Sequence, residues 1–516
     1  MTYRVIQKNK KGNKYLYEVE SYWDSKKKQP RQRRKYIGVW DDEIGTVKKK
    51  EAQRDVVTTK EYGSTYLLHY ISDELDLSKR LETAFGPDGR DILALSMTKV
   101  IRPTALKNVI HTMEDTWIPN ICKTDSSFKS QWISNFLISL SKQDLGVYNF
   151  GKSLVNGQDE ALIYDITSLS SHSRNINWLE FGDDYRKLGT PQVNLGVVFS
   201  IGKRIPIFYK LFPGSITDVV TIKNLICEVR EFGINKCTYV LDRGFFSETN
   251  IIALMDEKVD FIMPLPFSTK IGKSSISESN LKIDNAINAK RFDNKIYYVV
   301  EKKITIGKKR LIAYLLFNED RKGDEVNSFF NRLMDIENSL ENKKVRRNPQ
   351  KVFEITAKDF KNFFSYTYGP DGFHLERRAK AIAQAINKMG KMILLSSAPI
   401  PWDEALSLYH ERDAIEKIFD DMKNELDMLP IRVRKNETLK GLTLIYFISM
   451  ILRSLLLQRA RSVKLLEKDS IEGILLDMGK LRAVKIGNAW KLTEVSKKQR
   501  TCFEKMGIPI PVSVKT

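Results

Sequence analysis

Two short apolar runs each stop at an aspartate, and they set the fold class before anything else is read. Ala161-Leu-Ile-Tyr-Asp165 is the first and Lys236-Cys-Thr-Tyr-Val-Leu-Asp242 the second. Between them lie two more strand-like runs, Gln192–Ser200 and Ile205–Phe212, around the turn at Gly202-Lys203. An amphipathic helix over Asp218–Phe232 follows, then a helix capped by Ser247 and a fifth strand, Phe261–Leu265. Short apolar runs alternating with helical periods build an α/β layout. In such sheets functional groups gather at the carboxyl ends of strands, which is where Asp165 and Asp242 are expected. Each also has a plain local role open to it. Asp242 suits a turn in Asp-Arg-Gly, and Asp165 an Asx cap before Thr167.

The strand pattern breaks after 265 and resumes at Met392–Ser396, so 266–390 reads as an insertion into one sheet. It holds a hairpin, Ile296–Ile306 and Arg310–Phe317, a polar helix near 324–342, and a basic loop at 343–351. A chain of 516 residues exceeds what one hydrophobic core supports, so two or more domains are expected. Residues 1–60 hold 17 Lys and Arg against 8 Asp and Glu and read as a basic β-ribbon, with strands at Tyr15–Glu20 and Lys35–Trp40. Residues 61–155 read as a helical DNA-binding domain with helices able to enter a major groove: Tyr66, Leu67, Leu68, Ile71 and Leu75 keep a helical period, as do Ile92, Leu93, Leu95 and Met97. The core then occupies 156–265 and 391–460, on either side of the insertion. The basic tail 461–516 reads as only partly structured.

After Pro401 one long helix is expected to about Leu426, and a second, apolar one over 438–460. On an ideal helix Tyr409, Arg412, Glu416 and Lys423 fall within about 60° of arc. They edge an apolar face of Ile415, Ile418, Phe419, Met422 and Leu426. Taken alone, this is an amphipathic helix with solvated i,i+4 ion pairs. Asp420 claims the acidic place as well as Glu416 does.

Charge and motifs narrow the classes. There are 85 basic against 64 acidic residues, a net of +21, which favours a polyanionic partner. The four cysteines, at 122, 227, 237 and 502, form no CxxC pair, and five histidines make a zinc site improbable. Free thiols and an N-terminus without an apolar core suit a reducing cytosol. Leu444–Leu457 is interrupted by Arg453 and is too short to span a bilayer, so it reads as a buried helix. No Walker A sequence is present, nor a GxGxxG after a strand. His410-Glu411-Arg412-Asp413 is not a zincin motif, and Ser168, His172 and Asp165 lie too close in sequence for a triad.

The spacing Tyr409-x2-Arg412-x3-Glu416-x6-Lys423 resembles the Y-R-E-K signature of DDE transposases in the superfamily named for insertion sequence four. ALIYDITSL around Asp165 and YVLDRGFFSETN around Asp242 are similar to that family's two aspartate motifs. YRKLGTPQVNLGVVFSIGKRIPIFYKLFPGSITD resembles the sheet between them, and the tail WKLTEVSKKQRTCFEKMGIP the usual ending. The resemblance implies an RNase H-like mixed sheet with a β-containing insertion, preceded by a mostly helical domain with a small β-ribbon. It implies that Asp165, Asp242 and Glu416 are catalytic and hold two Mg²⁺ or Mn²⁺ ions. Tyr409, Arg412 and Lys423 would contact DNA phosphates. The implied partners are double-stranded DNA, at the element's ends and at the target, and a second copy of the chain in a homodimer. The implied setting is a prokaryotic cytosol, at the nucleoid. One departure stands out. Some family members stack a flipped base on a tryptophan of the insertion, but 266–390 contains none; Phe292, Tyr297 or Tyr298 takes its place, or the step differs, or these aromatics are core. Two rival functions share these motifs: a DNA-binding derivative without catalysis, and an RNase H-fold nuclease that never joins strands.

Overall fold

The structure, a computed structural model, describes residues 2–9, 12–42, 45–48, 58–155, 161–182, 190–216, 218–234, 236–279, 283–345 and 347–515. The chain divides into two compact units, Met1–Thr58 with Val484–Trp490, and Thr59–Ala483 with Lys491–Thr516.

In the first unit the basic segment pairs into an antiparallel sheet of β1 (Thr2–Lys8), β2 (Lys14–Asp24), β3 (Gln29–Asp41) and β4 (Thr46–Lys48), in that order. The strand Thr2–Lys8 was not visible in the sequence, because TYRVIQK has no turn residue to bound it at its start. Leu16 and Val19 are buried, and Tyr15 and Tyr17 pack edgewise or tilted against Tyr36 on one face.

The second unit opens with β5 (Thr58–Glu61) and then a run of helices from Gly63 to Leu154, the mostly helical domain expected. Its main sheet holds β6 (Ala161–Ser170), β7 (Gln192–Ser200), β8 (Ile205–Pro213), β9 (Thr238–Leu241) and β10 (Asp260–Pro264). They lie in the order β10-β9-β6-β7-β8. β6, β9 and β10 run parallel, while β7 and β8 form antiparallel hairpins onto β6. This is the RNase H-like topology. Every residue of β7 is buried, so the sheet is covered on both faces there.

The sheet continues past β10. β11 (Ala289–Phe292), β12 (Lys295–Ile306) and β13 (Lys309–Phe317) form a meander, and β16 (Lys391–Ser396) inserts between β13 and β10. The hairpin of the insertion therefore extends the nine-stranded sheet. Its reason is visible in β13, where Leu315, Leu316 and Phe317 are all buried and require cover on both faces. Residues 319–386 form a separate small core. There Phe329, Leu333, Ile336 and Leu340 of helix Glu319–Leu340 meet Phe353, Phe364, Phe373 and Ile382 around the hairpin β14 (Phe364–Gly369) and β15 (Gly372–Arg377).

Helix Asn436–Ser462 is long and apolar enough to cross a membrane, yet 89% of its apolar window is buried inside the protein. Helices Asp88–Ile101 and Ser130–Leu140 and strand β8 pack around it. Ser96 donates to the Ile445 carbonyl at 3.1 Å, and Ser449 donates to the Ser96 carbonyl at 3.2 Å. At Gly441 a methyl group would overlap the Leu137 carbonyl, so the glycine sets how closely these helices approach.

Three expectations need correction. Asp165 does not end its strand; β6 runs on to Ser170, with Asp165 opposite Val197. The tail is ordered: helices Ile471–Gly479 and Lys497–Lys505 form, and Phe503, Met506 and Ile508 are buried. Each such fully buried side chain contributes about 1.5–3 kcal/mol, enough to hold a tail whose charge suggested disorder. The helix after Pro401 is not continuous. It comprises Trp402–His410, Arg412–Asp420 and a π-helical turn, Asp421–Glu425. Of the family-like stretch beginning at Tyr185, residues 185–189 lie outside the described residues.

Lys99 gives a pH test of this packing. Its side chain is 1% exposed, donates to the Thr104 carbonyl and lies 4.9 Å from the Tyr446 ring. Burial pushes its pKa down to about 8 from 10.5, partly opposed by Asp427. Between those values the unfolded chain holds more protons than the folded one, so stability rises with pH. Below 8 both states are charged and the fold bears the full burial penalty. Urea unfolding should therefore show wild type gaining stability over Lys99→Met as pH rises from 8 to 10. A flat difference would refute the lowered pKa.

Candidate active site

The register of two parallel strands places the first two acids. β6 and β9 pair from Ala161 opposite Thr238 to Tyr164 opposite Leu241. Continued by one residue, that register sets Asp165 beside Asp242, on segments about 4.8 Å apart. β9 ends at Leu241, and the chain turns into the short helix Arg243–Phe245. So Asp165 stands where its neighbour ends, although its own strand continues. Its carboxylate accepts from the Ile166 amide at 3.0 Å, and the residue is 8% exposed.

The third acid comes from the helix Arg412–Asp420, which lies against β6. Ile415, Ile418 and Phe419 are buried. Fixing that face turns Arg412 and Glu416 toward the strand ends. The Arg412 guanidinium meets Asp165 at 3.5 Å, Asp242 at 3.4 Å and Glu416 at 2.8 Å. Asp420 is exposed and accepts from the Asn424 amide at 2.6 Å. Glu416, rather than Asp420, shares Arg412 with the two aspartates.

Burial opposes the charge of Arg412, but Asp165, Asp242, Tyr409 and Glu416 outweigh it and raise the guanidinium above its ordinary value. Burial also raises the Tyr409 phenol, against a hydrogen bond and the charge of Arg412. Tyr409 therefore stays protonated. Arg412 Nε is buried without an acceptor among the described residues.

Lys423 lies in the π-helical turn, where the ideal projection no longer sets its direction. A residue missed in the sequence anchors this turn. Arg453 pairs with Asp421 at 3.0 Å and with Glu472 at 2.7 Å, and its side chain is 7% exposed. The signal was present: a lone arginine in an apolar helix needs buried partners. It served only to argue against a membrane span. Of the aromatic candidates, Phe292 packs edgewise on Trp402 and on His410, and Tyr297 also faces Trp402. Tyr298 packs on Phe317 instead. Trp402 lies outside 266–390, where no tryptophan was found.

Three carboxylates without sulfur or imidazole suit a hard divalent cation such as Mg²⁺ or Mn²⁺. Among the described residues no three acid, histidine or cysteine side chains are grouped closely enough to share one ion. The positive charge at their meeting point is the guanidinium. The donor chemistry fits such an ion, which would compete with Arg412 for the same oxygens.

Removing that guanidinium leaves three acids facing one another. Arg412→Gln should lower unfolding stability by about 1–3 kcal/mol in the absence of divalent ions. Arg412→Lys should lose less, because it keeps the charge but not the planar fork that bridges several carboxylates. Denaturant titration in EDTA measures both. Unchanged stability in Arg412→Gln would show that the cluster carries no weight in the fold.

No curated protein matches the chain. Among solved structures, the cryo-EM structure of a piggyBac transposase synaptic complex with hairpin DNA is similar at a TM-score of 0.36 and 11% identity. That match covers 88% of this chain and 84% of the other. A family model described as the transposase DDE domain matches residues 156–452. That span is more than half of the 516 residues and takes in both aspartates and the helix that carries Glu416. The chain belongs to the family of transposases with a DDE domain.

Proposed function

We propose that this chain is a transposase of the insertion-sequence-four superfamily, with Tyr409, Arg412, Glu416 and Lys423 as its Y-R-E-K residues. It binds the ends of its insertion sequence, cleaves DNA strands there and joins them to target DNA. The observation that supports this reading is the pairing of one guanidinium, Arg412, with Asp165, Asp242 and Glu416, which come from two neighbouring strand segments and a late helix.

In this reading the three carboxylates hold two Mg²⁺ or Mn²⁺ ions. Such ions, when bound, activate an attacking oxygen and stabilise a leaving one. The protein's own part is positioning and charge neutralisation. Asp165 lies within β6 and Asp242 just past the end of β9, so the sheet holds both backbones in place. Glu416 closes the set from the helix above. Arg412 would neutralise a phosphate beside the acids, and its spare Nε–H would add a donor. Tyr409 offers a protonated hydroxyl to a phosphate oxygen, and Lys423 a further cation. Water attacks the phosphodiester and releases a 3′-hydroxyl. That hydroxyl then attacks the target phosphodiester, forming one ester as another breaks.

The DNA complex is proposed to be a homodimer, working in the cytosol at the nucleoid. The intact acids speak against a derivative without catalysis. The Y-R-E-K residues favour joining over hydrolysis alone. The basic N-terminal region is proposed to read the element's end, with the loop at 343–351 as a further candidate. The segment 497–500 is weaker, because Lys498 is already paired with Asp469 and Asp477.

Gel assays with labelled terminal DNA in Mg²⁺ score binding, nicking and joining separately. Asp165→Ala, Asp242→Ala and Glu416→Ala should reduce cleavage and joining to background while binding persists. Arg412→Ala and Lys423→Ala should lower cleavage roughly 10²–10³-fold without abolishing it, as loss of one charge-stabilising donor does. EDTA should stop wild type completely. Full cleavage by Asp242→Ala would reject the assignment, and nicking without joined product would favour the nuclease.

A further inference from the structure

The first unit carries a feature that the catalytic reading leaves unused. β1 pairs with β2 only from Lys14 to Glu20, and β4 pairs with β3 only over Val39–Asp41. Between those limits β2 and β3 continue alone, paired from Ser21 opposite Gln32 to Asp24 opposite Gln29. Four further rungs extend about 13 Å at 3.3 Å per residue, before the turn. This is a two-stranded ribbon with both faces in solvent, and Trp23 near its end is 64% exposed.

Its tip is built rather than loose. Asp24 Oδ1 accepts from the Lys26 and Lys27 amides, both at 3.1 Å, which fixes the turn. Three lysines in sequence, Lys26, Lys27 and Lys28, stand on it. On one face, alternation groups Arg31 and Arg33 with Tyr22. Arg33 lies over the Tyr22 ring at 5.7 Å, and Arg31 meets Asp24 at 3.6 Å. Both arginines are thus directed before any partner arrives. Among the described residues, Lys26, Lys27, Lys28 and Arg33 have no acidic ion-pair partner.

We infer that this ribbon inserts into the major groove of duplex DNA, with Arg31 and Arg33 facing base edges and Lys26, Lys27 and Lys28 on flanking phosphates. The inference rests on the reading of the chain as a transposase that binds duplex DNA. Shape supports it: two strands about 4.8 Å apart, with side chains, fill a groove about 12 Å wide and 8.5 Å deep. Chemistry supports the division of labour. Planar guanidinium groups pair bidentately with guanine edges, and lysines act as point charges on phosphate.

The test uses the full chain and a library of random 30-base-pair duplexes. Wild type should select a preferred sequence from it. Arg31→Ala with Arg33→Ala should flatten that preference over three to four adjacent base pairs, with nonspecific affinity reduced less than the preferred-site affinity. Lys26→Ala, Lys27→Ala and Lys28→Ala together should weaken all duplexes alike and reduce the slope of log affinity against log salt by about 2.7. Lys27→Cys carrying a photo-crosslinker should attach to bases at one fixed position, which keeps the test valid where a multiple variant misfolds. Unchanged selection and slope, absence of crosslinks, equal competition by single strands, or no selection by wild type would each overturn the inference. Cleavage is scored separately. Selection without cleavage would sink the catalytic reading and leave the ribbon standing; cleavage with unaltered selection in the ribbon variants would do the reverse.

Discussion

Arg412 brings one delocalised cation against carboxylates from three places in the chain, and the site takes its shape from that contact. Asp165, Asp242 and Glu416 would repel one another if left alone, and the first of them is nearly buried. Like charges in such a place drive each other apart or take up protons. A guanidinium spreads its charge over a planar fork, so it can satisfy several oxygens at once where an ammonium cannot. Because the arginine is one helical turn before Glu416, the helix carries both an acid and the counterion for the other two.

That contact depends on the sheet beneath it. The parallel register of β6 with β9 fixes Asp165 beside Asp242, and slipping either strand by one residue would turn its acid to the other face. The helix is held by its own buried face and, one turn further on, by the Arg453 pairs with Asp421 and Glu472. Those pairs tie the π-helical turn to the core helix and to helix Ile471–Gly479. Through Asn436–Ser462, the helical domain before the sheet and the tail after it both bear on the same site. The long apolar helix thus links segments that the sequence keeps far apart.

The basic sheet of the first unit differs in kind. It buries little, so its stability and its role both turn on what it meets. Most of its cations are exposed, whereas Arg412 is enclosed and already paired. The two positive features therefore suit different tasks. One neutralises charge inside a site, and the other offers charge to a polyanion outside it.

The sequence by itself determined much of this. Alternation and turn residues marked β6 to β10, the hairpin at 296–317 and the return at Met392, because those signals are local and their periods differ between strand and helix. The apolar face of Ile415, Ile418 and Phe419 set which side of the helix faces inward, and so put Arg412 and Glu416 together. Tertiary structure alone decided the rest. It paired Glu416 rather than Asp420 with Arg412, since about 40° of helix rotation separates them and only packing resolves that. It carried β6 past Asp165, because β7 continues to pair where β9 stops. It broke the helix at Glu411 and widened it at Asp421, where Arg453 pulls from another helix. It ordered the tail by burying Phe503 and Met506. In each case the deciding partner lies tens to hundreds of residues away, beyond the reach of any local pattern.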